Sequence, residues 1–337
     1  MKLKSVLKAL AACTLGMATL PGTPFAQGIE DPARDAYLET FKDKSVIFIP
    51  HSMGFDLAQG WYAGLKSQAD YLGYKIEFRD PNWNVDAGTQ ALTQAVNQKP
   101  DIIVVQNPDV QSYARILQRA QQQGIYVVQV NLKSSASTDV YVGADWVEIG
   151  RQQAKKMVKL CGKDSGKSGK VSIVQGILTS AGSVFQAKGI YDVLAEHPEI
   201  KVVSDQAGDW DANKARSITQ TVLQQHPDLC GIFGFWDGMD GGSAAAIREA
   251  GKQGQVALLT SGGGAQVDCD AVRDGTFTTV FSYDVPGQAR EINAVIKTLL
   301  QTKPEPGSVK YSLYTQLVEL TPETSGPGAC WTPKAPQ

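Results

Sequence analysis

The sequence of 337 residues has little histidine, no surplus of basic charge and no long apolar run beyond its first 30 residues. Its net charge of −2 argues against the basic surface on which general nucleic-acid binding depends. Only three histidines are present, and no two cysteines have the CxxC spacing typical of zinc sites. The motifs GxSxG, HExxH and the P-loop are also absent. We therefore expect no catalytic residue, no metal, no cofactor and no nucleic-acid partner.

The N-terminus has the features of a secretory signal peptide over residues 1–26. Three lysines give it a positive charge, and the apolar stretch 9–20 that follows is too short to span a bilayer. We predict cleavage near Ala26, with Ala18 as the rival position. A lipid anchor at Cys13 is the alternative. Either way, the segment predicts export to the periplasm.

Four cysteines remain once this segment is removed. An even number of cysteines in an exported protein predicts two disulfides, and the sequence leaves all three pairings open. The four residues are Cys161, Cys230, Cys269 and Cys330.

Short apolar segments alternate with segments of helical periodicity along the rest of the chain. The β-branched run 45–50 predicts a buried strand, and the spacing of apolar residues in 57–72 predicts a helix. Further strands are predicted at 74–79, 101–106, 125–130, 140–142, 170–175, 201–205, 231–235, 256–260 and 278–281, and further helices at 86–98, 112–123, 146–160, 183–196, 212–225, 242–250 and 288–300.

This alternation predicts an α/β fold made of βαβ units with parallel sheets. Because the pattern restarts after residue 142, we expect two doubly wound lobes. Ligands of such sheets bind beyond the carboxyl ends of the strands. The residues that follow each strand are therefore the candidates for a functional site.

Amide, carboxylate and aromatic side chains follow the predicted strands. A neutral hydroxylated ligand needs this mixture, since aromatic rings cover its C–H surface and polar groups bond its hydroxyls. Trp210 and Trp236, in the similar contexts DWD and FWD, are the strongest candidates. The predicted ligand-binding residues are His51, Ser52, Phe55, Asp56, Asn107, Asn131, Gln186, Trp210, Trp236, Asp237, Gly263 and Tyr283.

Some of these residues and their neighbours also fit purely structural roles. Asn107 and Asn131 are suited to cap the turns in which they lie. Among the remaining tryptophans, we interpret Trp61 as a core residue and Trp83 as the anchor of a loop.

Six sequence segments between residues 44 and 320 resemble the corresponding segments of one protein family. They are SVIFIP, GLKSQADYLGYKIEFRD, NQKPDIIVVQNPD, GADWVEIGRQQAKKMV, GIFGFWDGMDGGSAAAIREAG and AVRDGTFTTVFSYDVPGQA. The family is that of the periplasmic sugar-binding proteins of ABC importers, in particular the ribose-binding-like type I group.

The resemblance implies two lobes joined by a three-segment hinge. It implies crossings near 143–144, 283–284 and 311–313. The corresponding lobes are residues 44–143 plus 285–311 for the N-terminal lobe, and 144–283 plus 312–330 for the C-terminal lobe.

The resemblance also carries implications for the site. Trp210 matches a position that stacks on the ligand, and Asn131 a position that is often Asp. Leu132 stands where the family has an Arg, and Gly263 where it often has a ligand-binding Asp. These departures argue against ribose itself. They favour a less polar or differently shaped ligand, such as a polyol, a deoxy sugar or a small non-sugar.

The resemblance implies a solute-binding protein, not an enzyme, that closes around a small neutral sugar or polyol and delivers it to an ABC permease in the inner membrane. We expect it to act as a monomer. One alternative is a periplasmic sensor that passes ligand occupancy to a receptor kinase or chemoreceptor. Another is a secreted hydrolase that uses His51 and Ser52.

Overall fold

The computed structural model describes residues 31–332, in which strands and helices alternate. The predicted signal peptide and Cys13 lie outside the described residues. The first helix precedes the first predicted strand, and its Asp31 side chain caps it by accepting a hydrogen bond from the Arg34 N–H. The first series comprises α1 (Pro32–Glu39), β1 (Ser45–Ile49), α2 (Asp56–Leu72), β2 (Lys75–Phe78), α3 (Val85–Gln98), β3 (Ile102–Val105), α4 (Ala114–Gln122), β4 (Tyr126–Val130) and β5 (Val140–Gly143).

A second series repeats this pattern, and the chain then returns to the first lobe. The second series comprises α5 (Trp146–Cys161), β6 (Lys170–Gln175), α6 (Ala181–Leu194), β7 (Lys201–Ala207), α7 (Ala212–Gln225), β8 (Gly231–Gly234), α8 (Asp237–Glu249), β9 (Ala257–Gly262), α9 (Gln266–Arg273) and β10 (Thr279–Ser282). The last elements are α10 (Val285–Thr302), β11 (Tyr311–Tyr314) and β12 (Val318–Leu320).

The strands form two six-stranded sheets with the same topology. One has the order β11-β5-β4-β3-β1-β2 and the other β12-β10-β9-β8-β6-β7. All pairings are parallel except that of β12 with β10. The interior strands β3, β4, β8 and β9 are buried along their whole length, as apolar strands covered on both faces should be. The predicted α/β fold of two parallel-sheet lobes is confirmed.

Three segments cross between the lobes. The first follows β5 and the second follows β10, close to the predicted positions. The third crossing lies at 315–317, not at the predicted 311–313, because residues 311–314 pair with β5 as an edge strand of the first sheet. Helix α10 also lies on the first lobe, where the Asn293 amide donates to the Gly64 carbonyl of α2 at 2.9 Å.

Helix α8 begins at Asp237, five residues before the predicted start at Gly242. Its glycines obscure the helical pattern, since glycine disfavours a helix interior. Packing explains one of them: a Cβ at Gly242 would lie 1.8 Å from the Ala212 carbonyl oxygen of α7. Close approach of two helices therefore overrides local propensity here.

Both disulfides lie in the second lobe. Cys161 at the end of α5 pairs with Cys230 before β8, and Cys269 of α9 pairs with Cys330 of the tail. This decides between the three pairings that the sequence leaves open. Among residues 31–332, none of the helices is both long and apolar enough to cross a bilayer.

The C-terminal tail contacts both lobes. Cys330 is bonded to Cys269, and the Trp331 N–H donates to the Gly264 carbonyl at 3.0 Å. The indole lies against Gly60 of α2 in the first lobe, where a Cβ would come within 2.6 Å of the ring. The tail is thus fixed to the second lobe and packs on the first.

Candidate functional site

A narrow cleft lies between the carboxyl ends of the two sheets. Its cavity of about 30 Å³ is far smaller than the roughly 300–1,000 Å³ of typical ligand pockets, because aromatic rings from both lobes fill the space. The lining residues are His51, Phe55, Leu57, Trp83, Gln106, Asn131, Leu132, Trp146, Trp210, Phe235, Trp236 and Tyr283.

The aromatic rings that line the cavity form the cleft wall, and they contact one another across the boundary between the lobes. Trp83, from the loop after β2, lies 5.1 Å from Phe55 and 5.9 Å from Trp236 of the second lobe, measured between ring centroids. Trp236 also meets Trp210 edge-to-face at 6.4 Å. Such offset and edge-to-face pairs are favourable arrangements of aromatic rings. The lobes therefore meet through an apolar, aromatic contact.

Two glycines make room for the indoles of the second lobe. A Cβ at Gly176 would lie 2.1 Å from the ring of Trp210, and one at Gly238 would lie 2.4 Å from the ring of Trp236. Each ring therefore packs directly on backbone. The indole N–H groups of Trp210 and Trp236 have no hydrogen-bond partner within residues 31–332.

Trp83 and Trp210 occupy equivalent turns in the two lobes. Each follows the edge strand, β2 or β7, and each is the second of two residues with positive φ: Asn82 (48°) and Trp83 (63°), then Asp209 (54°) and Trp210 (62°). Non-glycine residues rarely adopt this conformation, which concentrates at functional sites. In both lobes the next residue caps the following helix, as Asn84 does for α3.

His51 is a neutral polar group on the first-lobe side. Its Nε2–H donates to the Asn107 carbonyl at 2.9 Å, and its backbone N–H donates to Gln106 Oε1 at 3.1 Å. Burial lowers the pKa of His51 from 6.5 to about 4. At neutral pH the cleft therefore holds an uncharged imidazole whose Nδ1 is an acceptor.

Asn131 connects the first lobe to the crossing segments. Its φ is +59°, and its carbonyl oxygen accepts from the Tyr141 hydroxyl and the Trp146 indole, both at 2.8 Å. The Trp146 ring in turn lies 5.5 Å from Tyr283. The Asn131 Oδ1 has no partner within the described chain. The residue thus holds its neighbours through its backbone and leaves a side-chain acceptor free.

Three carboxyl groups lie close together where the lobes meet: Asp56 of the first lobe, and Asp237 and Asp268 of the second. Burial, followed by the neighbouring carboxyls Asp268 and Asp56, raises the pKa of Asp237 well above its ordinary value. Burial likewise raises the pKa of Asp268 to about 6. Asp237 packs on Gly262, where a Cβ would come within 2.8 Å of its carboxyl carbon.

Asp240 supports the backbone of Trp236. Its Oδ2 accepts from the Trp236 N–H at 3.1 Å and from the Thr260 hydroxyl at 2.5 Å. Burial raises the pKa of Asp240 to about 8. A protonated, uncharged carboxyl therefore fixes the start of α8 beneath the indole.

Six of the twelve predicted site residues line the cavity. They are His51, Phe55, Asn131, Trp210, Trp236 and Tyr283.

The other six lie outside the cavity wall. Asn107 is fully buried behind His51, and its amide donates to the Gln129 side chain and the Leu132 carbonyl. Gln186 faces the core of the second lobe, where its amide donates to Gln153 Oε1 at 2.9 Å.

Ser52 and Gly263 also contact other residues of the protein and do not line the cavity. The Ser52 hydroxyl accepts from the Gly54 N–H at 3.0 Å. The space beside Gly263 is filled by Leu57, whose Cδ2 would lie 2.4 Å from a Cβ at that position. Asp56 and Asp237 belong to the cluster of three carboxyl groups at the lobe boundary.

Half of the residues that line the cavity were not among the predicted site residues. The clearest signal for Trp83 is the similarity of PNWN to GDWD, since each phrase precedes a helix of the same topology. The other wall residues outside the predicted set are Leu57, Gln106, Leu132, Trp146 and Phe235. Of these, the family resemblance places Leu132 at a site position.

The arrangement gives no support to catalysis by His51 and Ser52. The imidazole Nε2–H donates to the Asn107 carbonyl, and the Ser52 hydroxyl accepts from the Gly54 N–H of its own loop. Within residues 31–332, no cluster of three or more His, Cys, Asp or Glu side chains is arranged to hold a metal.

A family model described as a periplasmic binding protein domain matches residues 46–304. The chain therefore belongs to the periplasmic binding protein family, and the predicted family is confirmed.

Relatives of known identity include several binding proteins. The chain is 24% identical over 311 residues to the D-apiose import binding protein of Paraburkholderia graminis, covering 91% of this chain and 94% of that protein. It is 30% identical to the xylitol-binding protein of Mycolicibacterium smegmatis, over 64% of this chain and 60% of that protein. The similarity to the D-allose-binding periplasmic protein of Escherichia coli, also 30%, spans 43% of this chain and about half (48%) of that protein.

Solved structures share the fold. A solute-binding protein of an ABC transporter from Agrobacterium vitis, with bound D-fucose, has a TM-score of 0.76 at 20% identity, covering 84% of this chain and 97% of that one. The Caulobacter myo-inositol binding protein has a TM-score of 0.74 at 21% identity, covering 83% and 94%.

Proposed function

We propose that the protein is the solute-binding component of an ABC importer and that it holds a small neutral sugar or polyol between its lobes. The observation that carries this proposal is the cleft wall, in which aromatic rings from both lobes surround a few neutral polar groups. Among the described residues, no ionised side chain lines this cavity. Aromatic rings and placed amides suit a ligand with both C–H faces and hydroxyls.

Hinge closure follows from the arrangement of the lobes. Trp83 belongs to the first lobe and Trp236 to the second, so a ligand between them touches both and favours the closed form over the open one. A cavity of about 30 Å³ is too small for a sugar, so the lobes must rotate apart at the three crossings before a ligand binds.

Delivery to a membrane permease is the second part of the proposal. Its support is the family itself and the relatives, among them a protein named for D-apiose import. The family also supports a periplasmic location for the mature protein.

A thermal-shift screen of purified protein against neutral sugars, polyols and small acids tests the binding step, because a ligand of the native state raises the melting temperature. We expect neutral hydroxylated compounds to raise it and charged acids to have no effect. Calorimetry then gives Kd, and mass spectrometry of the recovered ligand should show it unchanged. A ligand converted to product, or a screen in which only charged acids bind, would contradict the proposal.

The transport step needs a separate test in the source cells. Deletion of the gene should abolish uptake of the labelled ligand at low concentration. If uptake persists and only a transcriptional or chemotactic response is lost, the protein acts as a sensor instead.

A further inference from the structure

The tail after β12 is held to the second lobe by a disulfide and by hydrogen bonds. Cys330 is joined to α9 through its disulfide. The next residue, Trp331, bonds to the chain between β9 and α9: its N–H donates to the Gly264 carbonyl at 3.0 Å, and its carbonyl accepts from the Gln266 N–H at 2.7 Å. Its indole N–H donates to the Gly263 carbonyl at 2.8 Å. The indole is therefore fixed to the second lobe.

The ring of this indole lies on the first lobe. A Cβ at Gly60 of α2 would come within 2.6 Å of the ring, so the ring packs directly on the backbone of that helix. The same Cβ would lie 2.6 Å from Cγ1 of Val285, the first residue of α10. The ring thus packs where two helices of the first lobe meet, against the apolar core of that lobe. A single side chain bridges the two lobes.

This bridge adjoins the cleft. Leu57, three residues before Gly60 on α2, lines the cavity, and its Cδ2 would lie 2.4 Å from a Cβ at Gly263. The carbonyl of Gly263 is the one that accepts the Trp331 indole N–H. The tail therefore holds the backbone on which a residue of the cleft wall packs, although Trp331 itself is not among the residues that line the cavity.

Rotation of the lobes away from each other disrupts the bridge. The second lobe must then either carry the indole away from Gly60 or release its hydrogen bonds to the tail. The first alternative exposes apolar surface, and the second leaves polar groups unpaired, so both disfavour opening. A contact that is complete only when the lobes are closed stabilises the closed form, and it slows the release of a ligand held between them.

We propose that residues 330–331 form a strap that holds the lobes in the closed arrangement, with Trp331 as a positioning residue for ligand binding. The inference rests on the hinge closure of the proposed function and assigns part of the control of closure to a residue outside the cleft. The disulfide of Cys330 restricts the tail before it packs, which reduces the conformational entropy lost when the ring docks on α2.

Hydrogen exchange tests the strap on the full protein without any ligand. The Val110 N–H of the first lobe donates to the Thr179 carbonyl of the second lobe at 3.1 Å, so its exchange reports separation of the lobes. Trp331→Ala should accelerate exchange at this amide at least fivefold. Tyr71→Ala, at a residue that is 79% exposed on α2, and Thr332→Ala, at the exposed residue that follows the strap, should leave it unchanged. Wild-type exchange in a folded Trp331→Ala protein would overturn the proposal.

Ligand release provides a second measurement, by stopped-flow fluorescence with the best neutral sugar or polyol from the thermal-shift screen. Trp331→Ala should increase the dissociation rate at least fivefold and leave the association rate within twofold of wild type. Trp331→Phe keeps an aromatic ring against Gly60 and loses only the indole N–H bond, so it should recover most of this loss. Equal dissociation rates in wild type and Trp331→Ala would contradict a role in positioning.

Removal of the disulfide tests the anchor. The double variant Cys269→Ser, Cys330→Ser should reproduce the faster exchange and release of Trp331→Ala. Adding Trp331→Ala to it should change little, because the two act through one contact. Wild-type exchange in the folded double variant would overturn the role of the disulfide.

Failure of the strap and failure of the proposed function give different results. If a sugar or polyol binds and Trp331→Ala matches the wild type in exchange and release, the strap is wrong while the proposed function stands. If no such ligand binds, the proposed function fails, and exchange at Val110 alone decides whether the strap holds the lobes together.

Discussion

The indole rings of Trp83 and Trp236 lie 5.9 Å apart, and each comes from a different lobe. This pair, together with Phe55, closes the cleft through contacts between uncharged rings. An apolar closure of this kind does not weaken with salt, in contrast to one built from exposed charges.

The first prediction concerns these rings. Trp210→Ala or Trp236→Ala should remove most ligand binding, and Trp83→Ala should weaken it about tenfold, equivalent to about 1.4 kcal/mol, because each ring contributes contact surface to the ligand. Calorimetry with the best ligand from the screen measures the effect. Circular dichroism should show an unchanged fold. Tyr71→Ala serves as the control, and wild-type affinity in all three variants would refute the site.

The second prediction concerns the stability of the protein in acid. The pKa of His51 is lowered from 6.5 to about 4 in the folded state, so in this window the unfolded chain binds a proton that the folded chain excludes. The free energy of unfolding should therefore fall as the pH falls from 6.5 towards 4, with a contribution from this residue of about 3 kcal/mol.

Urea unfolding at several pH values compares wild type with His51→Asn. Between pH 6.5 and 4, the free energy of unfolding of His51→Asn should fall less than that of the wild type. His226→Asn, at the end of α7, should show the same fall as the wild type. Parallel profiles for wild type and His51→Asn would show that the imidazole is not buried as described.

The third prediction concerns Asp240, whose effect on stability changes with pH in the direction opposite to that of His51. Its pKa is raised to about 8 in the folded protein, so the folded state retains a proton that the unfolded state releases above its ordinary value near 4. The free energy of unfolding should fall as the pH rises from about 4 through 8. Asp268, with a pKa raised to about 6, acts in the same direction over the lower part of that range.

Asp240→Asn keeps an acceptor for Thr260 and for the Trp236 N–H but cannot ionise. Between about pH 7.5 and 8.5, where His51 is largely neutral in both the folded and the unfolded state, this variant should be less sensitive to pH than the wild type in urea unfolding. Equal slopes in that interval would exclude a buried, protonated Asp240.

The fourth prediction concerns contact between the lobes at Gly263. Gly263→Ala should destabilise the closed protein by about 1–2 kcal/mol, because the new methyl group would meet Leu57 Cδ2 at 2.4 Å. Leu57→Ala should relieve part of this cost, so a double-mutant cycle should give a coupling energy of about 1 kcal/mol. Gly241→Ala, where nothing lies within 4 Å of the added carbon, is the matched control. Additive effects of the two substitutions would mean that the residues do not touch.

The fold could be predicted from the sequence because the interior strands of both sheets, such as β3, β4, β8 and β9, are buried on both faces. The strand Ile102–Val105 is a continuous apolar run and lies within the predicted range 101–106. Helices that contain several glycines, such as α8, are less visible, since their stability comes from packing against neighbouring helices rather than from local propensity.

The candidate site could be predicted only in part, because position after a strand does not determine where a side chain points. Trp236 follows its strand into the cleft, whereas Gln186 lies on a helix and turns to the core of its lobe. Trp83 reaches the cleft through two residues with positive φ, a backbone conformation that hydrophobic periodicity does not reveal.

Four of the six tryptophans of the chain, Trp83, Trp146, Trp210 and Trp236, line the cleft. Their ultraviolet emission responds to polarity and to neighbouring groups, so the light that this protein emits originates largely from the place where its lobes separate. Opening of the cleft or binding of a ligand should therefore change the emission spectrum directly. The molecule carries its own optical reporter of occupancy, and rapid-mixing experiments can follow its motions without an attached dye.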